Sequence, residues 1–508
     1  MRYTNEQQAV IDAINDADDG RIIAVNSIAG SGKTATSFGI VDTVRPKNGF
    51  YTAFNKAIVE DSKKRFEGAI VCSTLHSLAY RCERPSGIVK FGYADIEEDI
   101  PYDFKALLIS LVEEFFLSRY VSLDQFIAHR VYDGQLKNCV EKYAMRYLEG
   151  EETTFSAMLK RLHLDLYYGR ISLDRDLLIL DECQDTTGVM LEIFRLINSP
   201  KKVILGDRFQ SIYSFLHSVN AFELLRDIRE YRLTKSFRCS PEIAKLVEDY
   251  GRNALEERFV FTGNEDLEPN FTTKAIITRT NAFLINAMLE RMDKNKSFIL
   301  TRPVDEIFNI PIQVYWASLG NQVQDRSYRF LETEYRNFQK QNQKDNFLDW
   351  LVEVLANDKQ IVMSCRLLKK LKHLHTNIFD LKKRVVNLEP DPTFILTTAH
   401  AFKGLEADEV TIAGDLANFN IATRKNVEKE RERLEQLYEK EAEEDDGREA
   451  DGEYEGRERI GIDLIRPGLA DEDLEELNIY YVAMSRARHV LLNHNGWESD
   501  FLNVDQDE

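Results

Sequence analysis

Residues 27–34 read Ser-Ile-Ala-Gly-Ser-Gly-Lys-Thr, and residues 178–185 read Leu-Ile-Leu-Asp-Glu-Cys-Gln-Asp. The first stretch follows the apolar run Ile22-Ile23-Ala24-Val25. Backbone N–H groups from Ala29 to Lys33, Ser31 among them, can converge there on β- and γ-phosphate oxygens, helped by the positive end of a following helix. Gly30 and Gly32 permit the tight backbone, Lys33 neutralises phosphate charge, and Thr34 can place a hydroxyl on Mg²⁺. Ser27 stands where such loops usually carry their first glycine. In the second stretch an apolar strand delivers Asp181, suited to Mg²⁺, and Glu182, able to orient or deprotonate an attacking water. The pair predicts hydrolysis of a nucleoside triphosphate, with Mg²⁺ as the metal, on an α/β fold.

Working outward, the other β-branched runs are Leu177–Leu180, Lys202–Leu205, Ala275–Ile277 and Val410–Ala413. Continuous apolar runs of this kind suit strands buried on both faces of a parallel sheet. Helical stretches such as Thr34–Val44 and Lys56–Arg65 separate them, the alternation of open α/β sheets. Two blocks, 82–160 and about 300–390, read as mostly helical, with Phe104–Ser118 and Leu367–Leu388 as examples, and carry no phosphate motif.

The chain has 508 residues, 43% apolar and 30% charged, which fits a soluble globular protein of three or four domains. It has no apolar run of membrane-spanning length, and its N-terminus lacks a secretory signal. The six cysteines are scattered without a Cys-x-x-Cys pair, so neither a disulfide framework nor a structural metal is expected. His373 and His375 read as surface histidines. A cytoplasmic location follows, or a nucleoid or nuclear one with DNA. The net charge of −20 is partly local: residues 425–460 hold 15 acidic and 8 basic side chains, a net −7. Because the field that matters is local, overall acidity does not exclude a polyanion. The acidic block predicts a solvated helix fading into a loop, with docking of a protein partner as the other reading.

A third strand ends in Leu205-Gly206-Asp207-Arg208-Phe209-Gln210-Ser211-Ile212-Tyr213. Gln210 can sense a γ-phosphate. Tyr213 and Phe215 flank Ser214 and either present rings to unstacked bases or belong to the core; stacking is worth about 1–3 kcal/mol per base.

With these motifs in order, the chain resembles superfamily 1 helicases of the UvrD/Rep/PcrA type, from its first residues to about residue 492. Thr4-Asn5-Glu6-Gln7-Gln8 resembles their Q motif, Thr52-Ala53-Phe54-Asn55-Lys56-Ala57 motif Ia, and Ser73–Tyr80 the next DNA-contact motif. Ser236-Phe237-Arg238 resembles motif IV, Thr397–Glu406 motif V, and Tyr480–Arg488 motif VI. Local stretches are similar to the F-box DNA helicase branch: Ala53–Lys56, Thr74–Tyr80, Arg279-Thr280-Asn281-Ala282 and Glu475-Glu476-Leu477-Asn478. No F-box segment is expected ahead of Thr4, and no nuclease-sized segment after Asn493. The chain departs from the family at Phe215 and Leu216, where a tryptophan and an arginine are usual, and at Ala53 in place of a phenylalanine.

The resemblance implies two RecA-like parallel-sheet cores, each with a mainly helical insertion, and ATP used between them. It places core 1A at 1–81 and 161–225 around insertion 1B at 82–160. Core 2A lies at 226–299 and 392–494 around a small insertion 2B at 300–391, with an acidic insert at 416–470 and an acidic tail at 495–508. Gln7 would read the adenine edge and Phe237 would stack on adenine. Arg238 and Arg486 would act as arginine fingers, and Glu406 would join the nucleotide-binding set. Asn55, Thr74, His76, Tyr213, Phe215, Asn281, Thr398 and His400 would contact a single DNA strand or a single/double-strand junction, moving 3′→5′. The other reading is a nucleic-acid-stimulated ATPase switch that regulates a partner and hardly unwinds.

Overall fold

The computed structural model describes residues 2–92, 95–97, 102–131, 134–213, 217–268, 271–340, 346–356, 358–416 and 469–492. The acidic block 425–460, the tail 495–508 and Phe215 lie outside these. Contacts divide the chain after Ser236 into two units.

In the first unit, six parallel strands stand in the order β3-β2-β6-β7-β1-β8: β1 Ile22–Ser27, β2 Phe50–Ala53, β3 Val71–Cys72, β6 Leu178–Asp181, β7 Lys202–Gly206 and β8 Arg229–Leu233. Successive side chains of a strand point to opposite faces, and here both faces are covered. Ile22, Ala24, Phe50, Leu178, Leu180 and Ile204 enter one core cluster. Their neighbours Ile23, Val25, Tyr51, Ile179, Val203 and Leu205 enter another. That is why these strands read as unbroken apolar runs. Each such side chain, once buried, stabilises the fold by about 1.5–3 kcal/mol.

Helices α1 (Asn5–Asp16), α2 (Lys33–Val44) and α3 (Lys56–Phe66) supply the second cluster; α4 (Leu75–Glu83) supplies the first. Between α4 and β6 lie a two-stranded pair, β4 (Gly87–Ile88) with β5 (Glu152–Thr153), and helices α5 (Tyr102–Leu117), α6 (Leu123–Arg130), α7 (Gly134–Glu149) and α8 (Phe155–Tyr167). Helices α5 to α7 close on a core of their own, whereas α8 gives Ala157 to that core and Met158, Leu159 and Leu162 to the sheet. The boundary at 160 is therefore corrected: it falls inside one continuous helix. The boundary at 225 is corrected too, because β8 pairs with β1, Ile23 opposite Arg229 and Ser27 opposite Leu233. Helices α9 (Gly188–Leu196) and α10 (Ala221–Leu224) complete this unit.

The second unit is built on five parallel strands in the order β10-β11-β9-β12-β13: β9 Lys274–Thr278, β10 Ile299–Leu300, β11 Phe394–Thr398, β12 Ala407–Ile412 and β13 Ala487–Leu492. Helix α11 (Pro241–Ala254) has Ser240 as its cap and proline in its first turn, a favoured start. Helix α12 (Asn281–Asp293) shares one continuous core with α13 (Val304–Ser318), α14 (Phe330–Lys340), α15 (Phe347–Val354), α16 (Lys359–His373) and α17 (Ile378–Val386). The second insertion thus extends the core of its sheet instead of closing on itself. The helical stretch expected over Leu367–Leu388 is two helices. They are parted by a turn in which exposed His375 is left-handed (φ 52°) and Asn377 caps α17. Helix α18 (Ala399–Phe402) and the helix Leu469–Met484 follow. Among the described residues, no helix is long and apolar enough to cross a membrane.

Candidate nucleotide and strand sites

In the first unit, β1, β6 and β7 are parallel, so the segments leaving their C-terminal ends gather at one edge of the sheet, where α/β folds bind ligands. The loop after β1 is pinned at its root. Buried Ser27 donates its hydroxyl to Gly206 O (2.8 Å), and Ile28 N–H donates to Leu233 O (3.1 Å). A serine in place of the usual glycine therefore has a use, tying the loop to β7. Gly30 (φ 73°) and Gly32 (φ 81°) are left-handed, which a side chain would strain. Helix α2 starts at Lys33 with no side-chain cap, the arrangement in which first-turn N–H groups can receive an anion. Ser31 Oγ is buried without a hydrogen-bond partner, and Thr34, three residues on, is half-buried.

Lys33 Nζ lies 3.3 Å from Glu182 Oε1. Burial opposes its charge, but the carboxylates of Glu182, Asp181 and Asp207 outweigh burial and hold the ammonium above its ordinary pKa. Asp181, 4% exposed, accepts from Tyr51 Oη (2.6 Å) and from Glu182 N–H (2.9 Å). Burial, and then the Glu182 carboxylate, push Asp181 up to about 6, against Lys33 and these two donors. Glu182 has a left-handed backbone (φ 52°), a conformation that costs of order 1–3 kcal/mol in a non-glycine residue and marks functional turns. Gln210, 5% exposed, donates its amide to Asp207 Oδ2 (2.8 Å).

Gln7 is 3% exposed and fully engaged. Its Oε1 accepts from Thr4 N–H (3.0 Å), and its Nε2 donates to Ser31 O (3.3 Å) and Gly32 O (3.5 Å). With Thr4 Oγ1 accepting from Gln7 N–H (3.2 Å), this is a capping box whose free end holds the phosphate loop. Neighbouring Glu6 accepts from Thr234 N–H (2.8 Å) and Thr234 Oγ1 (2.6 Å).

The set suits a triphosphate with Mg²⁺: a glycine turn, an orphaned buried hydroxyl, a shielded ammonium, and hard carboxylate oxygens of the kind Mg²⁺ prefers. Tyr51 and Gln184 were not singled out from the sequence. Gln184 lay inside the quoted motif, but its contacts reach to residue 207; Tyr51 reaches 130 residues along the chain to Asp181.

Of the expected strand contacts in this unit, Asn55 is exposed and caps α3 through Ala57 N–H (2.8 Å), and Thr74 caps α4 through Ser77 N–H (3.2 Å). His76 is half-buried, edge-on to Phe155 at 6.1 Å, and burial lowers its pKa to about 4, so it is neutral at pH 7. Phe155 itself is 57% exposed, an aromatic face that the sequence reading did not pick. Tyr213 is half-buried.

In the second unit, Arg238 donates from Nε to Glu406 Oε2 (2.8 Å) and from Nη1 to Ser485 O (3.2 Å). Glu406 also lies 3.8 Å from Arg488, whose Nη1 is 3.5 Å from Asp408. Arg486 is 1% exposed, with Nε donating to Val482 O (3.0 Å) and Nη2 to Ser485 Oγ (3.1 Å). Phe237 is 41% exposed, as a stacking ring must be. Asn281 is buried, and the cap of α12 is Thr280 instead. Thr398 caps α18, and half-buried His400 follows in its first turn.

The AAA domain family matches residues 10–216. F-box DNA helicase 1 of Gallus gallus is 22% identical over 480 residues, covering 84% of this chain and 46% of that protein. F-box DNA helicase protein 1 of Schizosaccharomyces pombe (strain 972 / ATCC 24843) is 24% identical over 472 residues, covering 81% of this chain and 52% of its own. The chain thus spans about half the length of the curated relatives it matches. With its ordered motifs and its two parallel α/β sheets, the chain is similar to superfamily 1 helicases of the UvrD-like type.

Proposed function

We propose that the chain is an ATP-dependent DNA helicase and translocase that moves 3′→5′ along a single strand. The observation that carries this reading is the gathering of Lys33, Asp181, Glu182 and Gln210 at one edge of the first sheet, with Lys33 3.3 Å from Glu182. The relatives, named as DNA helicases, support the nucleic-acid half of it.

Lys33 and the loop N–H groups hold the β- and γ-phosphates, Phe237 stacks on the adenine, and Gln7 turns from the loop carbonyls to the adenine edge. Thr34 and Asp181 would hold Mg²⁺, which would neutralise phosphate charge. Glu182 accepts the proton of the attacking water, and Gln210 turns from Asp207 to the γ-phosphate. Arg238 and Arg486 place positive charge on the transferring phosphoryl group, with Glu406 orienting Arg238. Arginine fingers of this kind are worth about 10³–10⁵ in rate. Asn55, Thr74, His76 and Tyr213, and in the other unit Asn281, Thr398 and His400, grip the strand. The exposed ring of Phe155 joins His76.

ATP turnover measured beside single-stranded DNA, duplex DNA and RNA tests the substrate, and forked duplexes with a 3′ or a 5′ tail test polarity. Stimulation by single-stranded DNA with unwinding from the 3′ tail is expected. Stimulation without unwinding would move the assignment to the ATPase switch, and stimulation by RNA alone would replace the substrate.

A further inference from the structure

Gln184 is completely buried between two parts of the hydrolytic machinery. Its Nε2 donates to Glu182 Oε2 (2.7 Å), and its Oε1 accepts from Asp207 N–H (3.1 Å) at the end of β7. A weaker contact runs from Nε2 to Asp185 Oδ2 (3.3 Å), and Gln184 O accepts from Ser211 Oγ (3.1 Å). Beyond Asp207 the chain of bonds continues to Gln210. The neighbouring backbone is built around this carboxamide. A Cβ on Gly206 would sit 2.4 Å from Gln184 Oε1 and 2.8 Å from Cys183 Sγ, so position 206 is bare where the amide crosses it.

An amide can donate at one end and accept at the other across this span while staying neutral. A carboxylate would put a charge beside Glu182, and an apolar side chain would leave Asp207 N–H and Glu182 Oε2 without this partner. Glu182 Oε1 faces Lys33 while Oε2 faces Gln184, so the carboxylate is fixed in its plane from both sides.

Resting on the hydrolytic reading above, we infer that Gln184 is the positioning residue for Glu182. It holds the base in line for the attacking water and ties it to the turn that carries Gln210 and Tyr213. Gln184 touches no substrate; it acts through Glu182. Strand contacts at the β7 turn therefore have a route to the base through this side chain.

A double-mutant cycle on the full chain tests this. Gln184→Met keeps the length of the side chain and removes its hydrogen bonds; Glu182→Gln removes the base. Gln184→Met is expected to lower kcat at least about ten-fold, the size of one lost positioning contact, with KM for ATP and strand affinity within two-fold of the parent. The double variant is expected to be no slower than Glu182→Gln alone, because residues that act as one unit are not additive. A kcat within two-fold of the parent overturns the inference, as does a double variant slower by the product of the two single effects. Should Gln184→Met fail to fold, Gln184→Glu keeps the acceptor for Asp207 N–H and is read in the same cycle. Wild-type turnover insensitive to single-stranded DNA would instead sink the translocase reading, leaving the cycle readable on basal hydrolysis.

Discussion

Two strand-to-helix turns, one in each unit, start from parallel strands and treat an anion in opposite ways. In the first unit, β1 gives way to the glycine turn and α2 begins uncapped, with Lys33 and an orphaned Ser31 hydroxyl beside it. In the second, β9 passes through Arg279 and Thr280 straight into α12, and the anion is already there. Asp415 accepts from Arg279 N–H (3.0 Å), Thr280 N–H (2.8 Å) and Thr280 Oγ1 (2.9 Å). Burial pushes Asp415 up to about 6, and those same donors work against the rise. The same turn is thus open to a phosphate in one unit and closed by the protein's own carboxylate in the other.

The largest effects are expected where this contrast is removed on the open side and its cationic counterpart. Lys33→Ala, and separately Arg486→Ala, should lower strand-stimulated ATP turnover by about 10²–10³-fold or more while strand binding survives. Near-normal turnover in either variant would void its assignment. On the closed side, Asp415→Asn should leave the phosphate loop untouched and destabilise the second unit by about 1–3 kcal/mol, since an amide cannot accept from three donors as a carboxylate does. A denaturant midpoint equal to the parent's would show that the internal anion contributes nothing.

A smaller effect separates the units by pH. His163 in α8 is buried, and burial, followed by the charges of Lys160 and Arg119, lowers its pKa to about 3. Its folded pKa lies below the unfolded value, so the stability it contributes is complete above about pH 6.5 and lost as pH falls. By pH 5 the loss is about 2 kcal/mol. His163→Leu should flatten the fall in thermal midpoint between pH 7 and 5; an unchanged slope would assign that fall to other groups. The smallest effect concerns Thr74, which caps α4 besides its proposed strand contact. Thr74→Ala should cost about 1 kcal/mol of stability, and Thr74→Ser should restore it. Strand affinity that follows the cap alone would remove Thr74 from the grip.

Which parts were readable follows from the range of the forces. The apolar runs at 22–25, 177–180, 202–205, 275–277 and 410–413 all became parallel strands, because burial on both faces leaves an unbroken hydrophobic signature. Strand β8 escaped notice because it is Arg-Glu-Tyr-Arg-Leu at a sheet edge, buried only at Leu233. The phosphate loop was legible because its glycines and lysine are adjacent in sequence. The hydroxyl of Tyr51 on Asp181 and the amide of Gln184 on Asp207 were not, since both pairings are made by strand register, Ala53 opposite Asp181 and Leu180 opposite Ile204. The turn at His375 was hidden because its flanks both have helical composition.

The first turn of α1 holds two other places at once: Gln7 grips the carbonyls of the phosphate loop, and Glu6 grips Thr234 at the exit of β8. Linkage makes such a connection symmetric: a load that shifts one end shifts the other by the same free energy. Any change that tension on the chain leaving Thr234 makes in nucleotide affinity must equal, as a free energy, the change that nucleotide makes at that exit.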